Sequence, residues 1–261
     1  MTPRLADLST TAATDCLDDA DVALLPMGAT EQHGPHLPLG TDTRAARAVT
    51  ERLDRDDVVS LPSIPVGVSD HHRQFPGTLS VSPETFAAYV RETVESLAAH
   101  GVEKVVVVNG HGGNDDALRR VARDLRRAER AFVVPWNWWA NLADEHESSF
   151  GRTHVGHAGA AETSVVRAVA PGLVDDDAIE DADAGAADTW GVHVAGAMVL
   201  DDVVDFSENG VVGVPTDGSV AAGERLLDAA VADLETLCAW LAARPFETLL
   251  PADRPGDATV G

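Results

Sequence analysis

What this 261-residue chain has least of narrows it first. It holds two cysteines, Cys16 and Cys238, far apart and in no metal-binding or redox spacing, so two free thiols in a reducing compartment are expected. No apolar run reaches membrane-spanning length, and Met1-Thr2-Pro3-Arg4 carries no signal-peptide pattern, so a cytoplasmic protein without membrane contact is expected. Basic residues are scarce: 19 Lys and Arg stand against 43 Asp and Glu, a net charge of −24, with lysine nearly absent. Such a surface disfavours nucleic acid and anionic membranes as partners. The acids are spread along the chain rather than gathered in one patch. That pattern suits a cytoplasm of molar salt, where the Debye length is about 3 Å and self-repulsion is screened. No internal repeat or linker divides the sequence, and its length suits one large α/β domain over residues 1–261.

What is present alternates. Strand-like and helix-like segments follow one another, which predicts a mostly parallel sheet covered by helices on both faces. Residues 22–26 and 102–108 read as buried strands, and 58–62 and 132–134 as shorter ones. Helices are expected at 44–53, from Ser82-Pro83 with serine as N-cap to a stop at Gly101, and over Leu118, Val121 and Leu125. A long closing helix buries Leu226, Leu227, Ala230, Leu234, Leu237 and Leu241. Residues 175–188 read as an acidic, solvated loop, and 207–218 as a Gly-rich, partly extended one.

The densest chemistry follows the first strand, in Glu31-Gln32-His33-Gly34-Pro35-His36-Leu37-Pro38-Leu39-Gly40-Thr41-Asp42. Glu31 and His33, two apart, leave an extended backbone on one face. Pro35 and Pro38 stiffen the loop, and Asp42 meets the helix that follows. Imidazole and carboxylate donors together suit Zn²⁺, Mn²⁺ or Fe²⁺, although a lone Glu-x-His is also what a solvated turn contains. Two later segments add to the set. Asn109-Gly110-His111-Gly112-Gly113-Asn114 caps the strongest strand, at the sheet end where α/β proteins gather ligands. His157, among small residues in Gly156-His157-Ala158-Gly159, has little to pack against, and Glu162 opens the next helix. No Lys-Ser/Thr follows the glycines at 110–113, which argues against a P-loop. Gly67-Val68-Ser69-Asp70-His71 lacks the second glycine of a nucleophile elbow, which argues against a serine hydrolase.

These three segments together resemble the creatininase family, over roughly residues 20–240. The family comprises creatinine amidohydrolases, archaeal formamide hydrolases of the riboflavin and deazaflavin pathway, and mycofactocin precursor peptidases. The resemblance implies a three-layer α/β/α sandwich, two divalent metal ions and a homo-oligomer, usually a hexamer. Carried onto this sequence, Glu31, Asp42 and His111 hold one ion, and His33, Asp42 and Glu162 the other, with Asp42 bridging. Three carboxylates against two divalent cations leave a charge that a bridging hydroxide neutralises. His157 is then the proton shuttle. Creatinine-cleaving members carry Tyr and a metal-binding Glu where this chain has Gly112 and Gly113, and Trp-Asp where it has Thr153 and His154. The resemblance therefore points away from creatinine and toward an acyclic amide, foremost the formamide of 2-amino-5-formylamino-6-ribosylaminopyrimidinone 5′-phosphate. Creatinine amidohydrolase proper, a metallopeptidase trimming a peptide terminus and a non-catalytic binding module are the alternatives. Trp136, Trp138 and Trp139 suit core or interface anchoring first, with the wall of a substrate pocket as the second reading for one of them. His71, His72, Trp138, Trp139 and His154 are the candidates for reading the substrate.

Overall fold

The computed structural model describes residues 2–151 and 155–252. At its centre lie four parallel strands, β1 (Val22–Met27), β2 (Val58–Ser60), β3 (Lys104–Asn109) and β4 (Phe132–Asn137), in the order β2-β1-β3-β4. Leu24 pairs with Ser60 on one side and Val106 on the other, and Val106 pairs with Val134. Every residue of β1 and β3 is buried. Covered on both faces, these strands are continuous apolar runs rather than alternating ones.

Alternate strand residues serve opposite layers. Val22, Leu24, Val106 and Val108 pack beneath α2 (Thr41–Arg52), α6 (Ala160–Val169) and α8 (Val220–Ala242). Ala23, Leu25, Val105 and Val107 pack beneath α3 (Pro83–Ala98) and α4 (Asp115–Arg127), with Leu17 of α1 (Thr10–Asp19) at the margin. This is the expected three-layer sandwich. Leu226, Leu227, Leu234 and Leu241 of α8 are fully buried, each contributing about 1.5–3 kcal/mol. They fix α8 against α6, whose first turn carries Glu162.

Several elements depart from the sequence reading. α2 starts at Thr41 rather than at residue 44, so Asp42 sits in its first turn, where a carboxylate complements the helix dipole. β4 continues through Pro135 to Asn137. As an edge strand it tolerates a proline, because the missing N–H faces away from the ladder. The acidic stretch 175–188 is not wholly a loop: it contains α7 (Ile179–Ala184), entered through a turn in which the Asp175 carboxylate accepts from the Asp177 N–H, and Ala182 is buried. A short α5 (Ala143–Phe150) and an antiparallel hairpin, β5 (Val192–Val194) with β6 (Ala197–Leu200), also had no clear sequence signal. Among the described residues no helix is long and apolar enough to cross a membrane.

Candidate metal centre

The carboxyl ends of β1 and β3, the start of α2 and the start of α6 meet at one point, and each contributes side chains there. Glu31, His33 and Asp42 are 0–1 % exposed, and His111, His157 and Glu162 no more than 6 %. Asp42 turns its two oxygens to different partners. Its Oδ1 is 2.8 Å from His33 Nε2, and its Oδ2 is 3.3 Å from His111 Nδ1. Glu31 Oε1 is 3.2 Å from the same His111 nitrogen, and Glu162 Oε1 is 3.9 Å from His33 Nε2. The other Glu162 oxygen accepts from the Ala158 N–H at 2.5 Å. Donor atoms of His33, Asp42 and Glu162 lie within 4.8 Å of one another, and Glu31 and Asp42 both approach His111 Nδ1.

The inner atoms of this cluster lack hydrogen-bond partners: both Glu31 oxygens, Asp42 Oδ2 and His33 Nε2 make none. Unpaired carboxylate oxygens in a buried site are costly, and a cation satisfies them. The histidines are oriented in the way metal ligands are. His33 Nδ1 lies 3.1 Å from the Glu31 carbonyl and His111 Nε2 lies 2.9 Å from the Val68 carbonyl. Each far nitrogen donates outward, so the near one faces the carboxylates. The donor set fits a pair of borderline divalent ions. Donor atoms of Glu31, His33 and His157, and of Glu31, His71 and His111, also lie within 4.8 Å of one another, so both histidines border the same centre.

Burial opposes charge at these groups, and neighbouring charge decides several of the outcomes. At His33 burial is outweighed by Asp42, then by Glu162 and Glu31, and the pKa rises to about 10. At His111 burial is overcome by Glu31 and Asp42, and the pKa stands well above its ordinary value. Burial would raise Asp42, but His33 and His111 bring it down to about 2. Glu162 is pushed up to about 7, first by burial; His33 pulls it down and Asp42 and Glu31 add to the rise. His157 falls to about 3 through burial and the charge on His33.

Above the cluster opens a cavity of about 850 Å³ that reaches Asp42, His111, His157 and Glu162. His71, His72, Trp139, Trp190, Met198 and Asp201 form much of its wall. His71, His72 and Trp139, expected to read the substrate, thus line this cavity. Trp138 does not. It is 1 % exposed, in the core beneath α8. Trp136 packs against that core as well. His154 lies outside the described residues.

Two residues at the site had no sequence signal. Trp190 sits edge-on to His71, His72 and His157, with ring centroids 5.7, 6.0 and 6.2 Å away. Gln32, between two candidate ligands, touches both His72 and His157. Gly113 also becomes intelligible. A Cβ there would stand 2.2 Å from the Val68 carbonyl, 2.4 Å from His111 Nε2 and 2.9 Å from His71 Cε1. The Val68 carbonyl and the His71 and His111 rings fill that corner.

Comparison with known proteins agrees with this geometry. The family model described as creatinine amidohydrolase, of the creatininase family, matches residues 6–238. A mycofactocin precursor peptide peptidase of Mycobacterium tuberculosis (strain ATCC 25618 / H37Rv) is 34% identical over 251 residues, 92% of this chain and 93% of the relative. The creatinine amidohydrolase of Pseudomonas putida is 31% identical over 188 residues, 65% of this chain and 70% of the relative. A solved structure described as creatininase Mn superposes with a TM-score of 0.75 at 22% identity, covering 94% of this chain and 100% of that one. The chain belongs to the creatininase family, and is a hydrolase of that family with a candidate metal site at the carboxyl ends of its central strands.

Proposed function

We propose that this protein is a two-metal amidohydrolase that cleaves a C–N amide bond. The observation that carries this is Asp42, whose two oxygens face two separate groups of buried donors. Glu31, Asp42 and His111 would hold one ion and His33, Asp42 and Glu162 the other, with Zn²⁺, Mn²⁺ or Fe²⁺ suited to the donors. Bound there, the ions would supply Lewis acidity, making a water nucleophilic at neutral pH and drawing electrons from the amide carbonyl. His157 does the proton work. Its ring lines the cavity with Nδ1 3.8 Å from Glu31, placed to accept a proton from the nucleophile and pass it to the departing nitrogen. An amine is a poor leaving group without that proton. Trp190 and Trp139 wall the cavity and limit the water that reaches the reacting carbon.

For the substrate, the formamide-bearing ribosylaminopyrimidinone phosphate and a peptide end are the two readings. The described residues lining the cavity include no Lys or Arg to receive a phosphate, and they include Asp201. That favours an amide without phosphate, and the roomy cavity accepts a peptide end. The similarity to mycofactocin precursor peptide peptidases supports the same side. The protein would work as a homo-oligomer in a salt-rich cytoplasm. The exposed apolar residues Val194, Met198, Val199 and Leu200 of the β5–β6 hairpin support the first part.

The test strips metal with a chelator, restores Zn²⁺ or Mn²⁺, and compares small formamides, formamidopyrimidine nucleotides and short peptides. Turnover should need metal and should vanish in His111→Ala. His157→Ala should lose about 10²–10⁴-fold in kcat with its metal content intact. Full turnover by the stripped protein, or by His157→Ala, would defeat the proposal.

A further inference from the structure

Gln32 is the residue at this site that the chemistry above leaves without a task, although it is 5 % exposed and every polar atom of its side chain is engaged. Its Oε1 accepts from the Gly34 N–H at 2.9 Å, and its Nε2 donates to the Gly210 carbonyl at 3.0 Å. Those two main-chain groups settle which end of the amide is which. Turned over, the amide would set oxygen against the Gly210 carbonyl and N–H against the Gly34 N–H, two repulsions in place of two bonds.

With the amide fixed, the neighbouring imidazoles are fixed too. Gln32 Nε2 stands 2.7 Å from His72 Nδ1. An amide nitrogen offers only protons, so His72 Nδ1 must be the unprotonated nitrogen. The His72 proton then lies on Nε2, which faces Glu31 Oε1 across 3.4 Å. On the other side, His157 Nε2 is 2.8 Å from the main-chain carbonyl of Gln32, which can only accept. Both amide protons are already placed, on His72 and Gly210. The 3.1 Å contact between Gln32 Nε2 and His157 Nε2 therefore brings two donors side by side. His157 keeps its proton on Nε2 and turns a free Nδ1 toward Glu31, 3.8 Å away.

We propose that Gln32 is a positioning residue that sets the tautomers of two histidines. Its side-chain amide holds the His72 proton on Nε2, where it faces the Glu31 carboxylate 3.4 Å away. Its main-chain carbonyl holds the His157 proton on Nε2, leaving Nδ1 as the atom that carries the catalytic proton. Gly210 completes the device from a distant loop. A Cβ there would stand 1.9 Å from Gln32 Oε1 and 2.5 Å from Nε2, so the amide occupies the space that only glycine leaves open. Partners of a metal-binding carboxylate typically change metal affinity by about 10–100-fold when removed.

The inference rests on the proposed two-metal site, and its test reads protons rather than turnover. Histidine-labelled, zinc-loaded protein is examined by long-range ¹H–¹⁵N correlation, which assigns each ring proton to Nδ1 or Nε2. In the wild-type protein His72 and His157 should both be Nε2–H. In Gln32→Glu an oxygen replaces the nitrogen beside His72 Nδ1, so His72 should acquire a proton on Nδ1 while His157 stays Nε2–H. Gly210→Ala, which leaves the motif intact and pushes the amide aside, should remove the Nε2–H preference of His72 alone. It also serves if Gln32→Glu does not fold. In both variants zinc affinity by chelator competition should weaken about 10–100-fold. A wild-type His72 protonated on Nδ1, an unchanged His72 in the variants, or a shifted His72 with unweakened zinc would overturn the proposal. A His157 bearing its proton on Nδ1 would overturn the half that concerns the shuttle. Failure of the catalytic reading would appear elsewhere, as turnover surviving His157→Ala.

Discussion

Loading the site with metal should expel protons, in a number the side chains specify. At pH 7 the metal-free cluster keeps His33 protonated, with a pKa near 10, and the Glu31 and Asp42 carboxylates shift His111 toward its protonated form. Glu162, at about 7, carries half a proton, while Asp42, at about 2, carries none. Ligation requires neutral imidazoles and ionised carboxylates. One proton from His33 and half from Glu162 make at least about one and a half released per chain at pH 7, and His111 adds to that. The count has a predicted slope. The share from Glu162 should approach about one proton at pH 6, where it is protonated, and fall to about zero at pH 8.5, where it is not. Titration calorimetry of Zn²⁺ into stripped protein, repeated in buffers of different ionisation enthalpy, measures it directly. Release of less than about one proton, or a count that does not fall with pH, would refute the reasoning. The same shifts set how the metal-free fold responds to pH. His33, raised above 6.5, stabilises it fully below pH 6.5 and loses that contribution as pH rises through about 10. Asp42, lowered from 3.8, stabilises it above pH 3.8 and loses that as pH falls through about 2.

Three further outcomes follow. Gly113→Glu should not create a creatinine-cleaving site, because the Val68 carbonyl and the rings of His71 and His111 fill the space. It should cost about 1–3 kcal/mol in denaturant unfolding, and unchanged stability would contradict this. Trp138→Ala should cost about 3–5 kcal/mol, as a core truncation does, whereas Trp139→Ala on the cavity wall should cost less and act on KM. Equal stability losses would show the two are misassigned. Raising KCl from about 0.1 M to about 3 M shortens the screening length from about 10 Å to under 3 Å, so with a net charge of −24 the melting temperature should climb. A fall across that range would remove salt adaptation as the reason for the acidity.

Much of this was legible because the signals were local. Unbroken valine in β3, the Ser82-Pro83 start of α3 and the leucine spacing of α8 each follow from one element's own geometry. The ligand set was legible for a different reason. Glu31, His33 and Asp42 share one stiff loop, and His111, His157 and Glu162 follow glycine-rich turns that suit strand ends. What stayed hidden depends on neighbours. Trp138 is buried because residues of α2, α6 and α8, distant in sequence, close over it. α7 forms because Ala182 has somewhere to be buried, not because its acidic sequence demands a helix. Gln32 gains its role from Gly210, 178 residues away. Trp190 reaches the cavity only through the arm that ends in the β5–β6 hairpin.

The claim on which the rest depends is that Asp42 joins two cations. Metal analysis of purified protein, and of Asp42→Ala prepared alongside it, tests this most directly. The account predicts two ions per wild-type chain and near-complete loss of both in the variant, since each group then keeps only two of its three ligands. One ion in the wild-type protein, or two retained by Asp42→Ala, would contradict it.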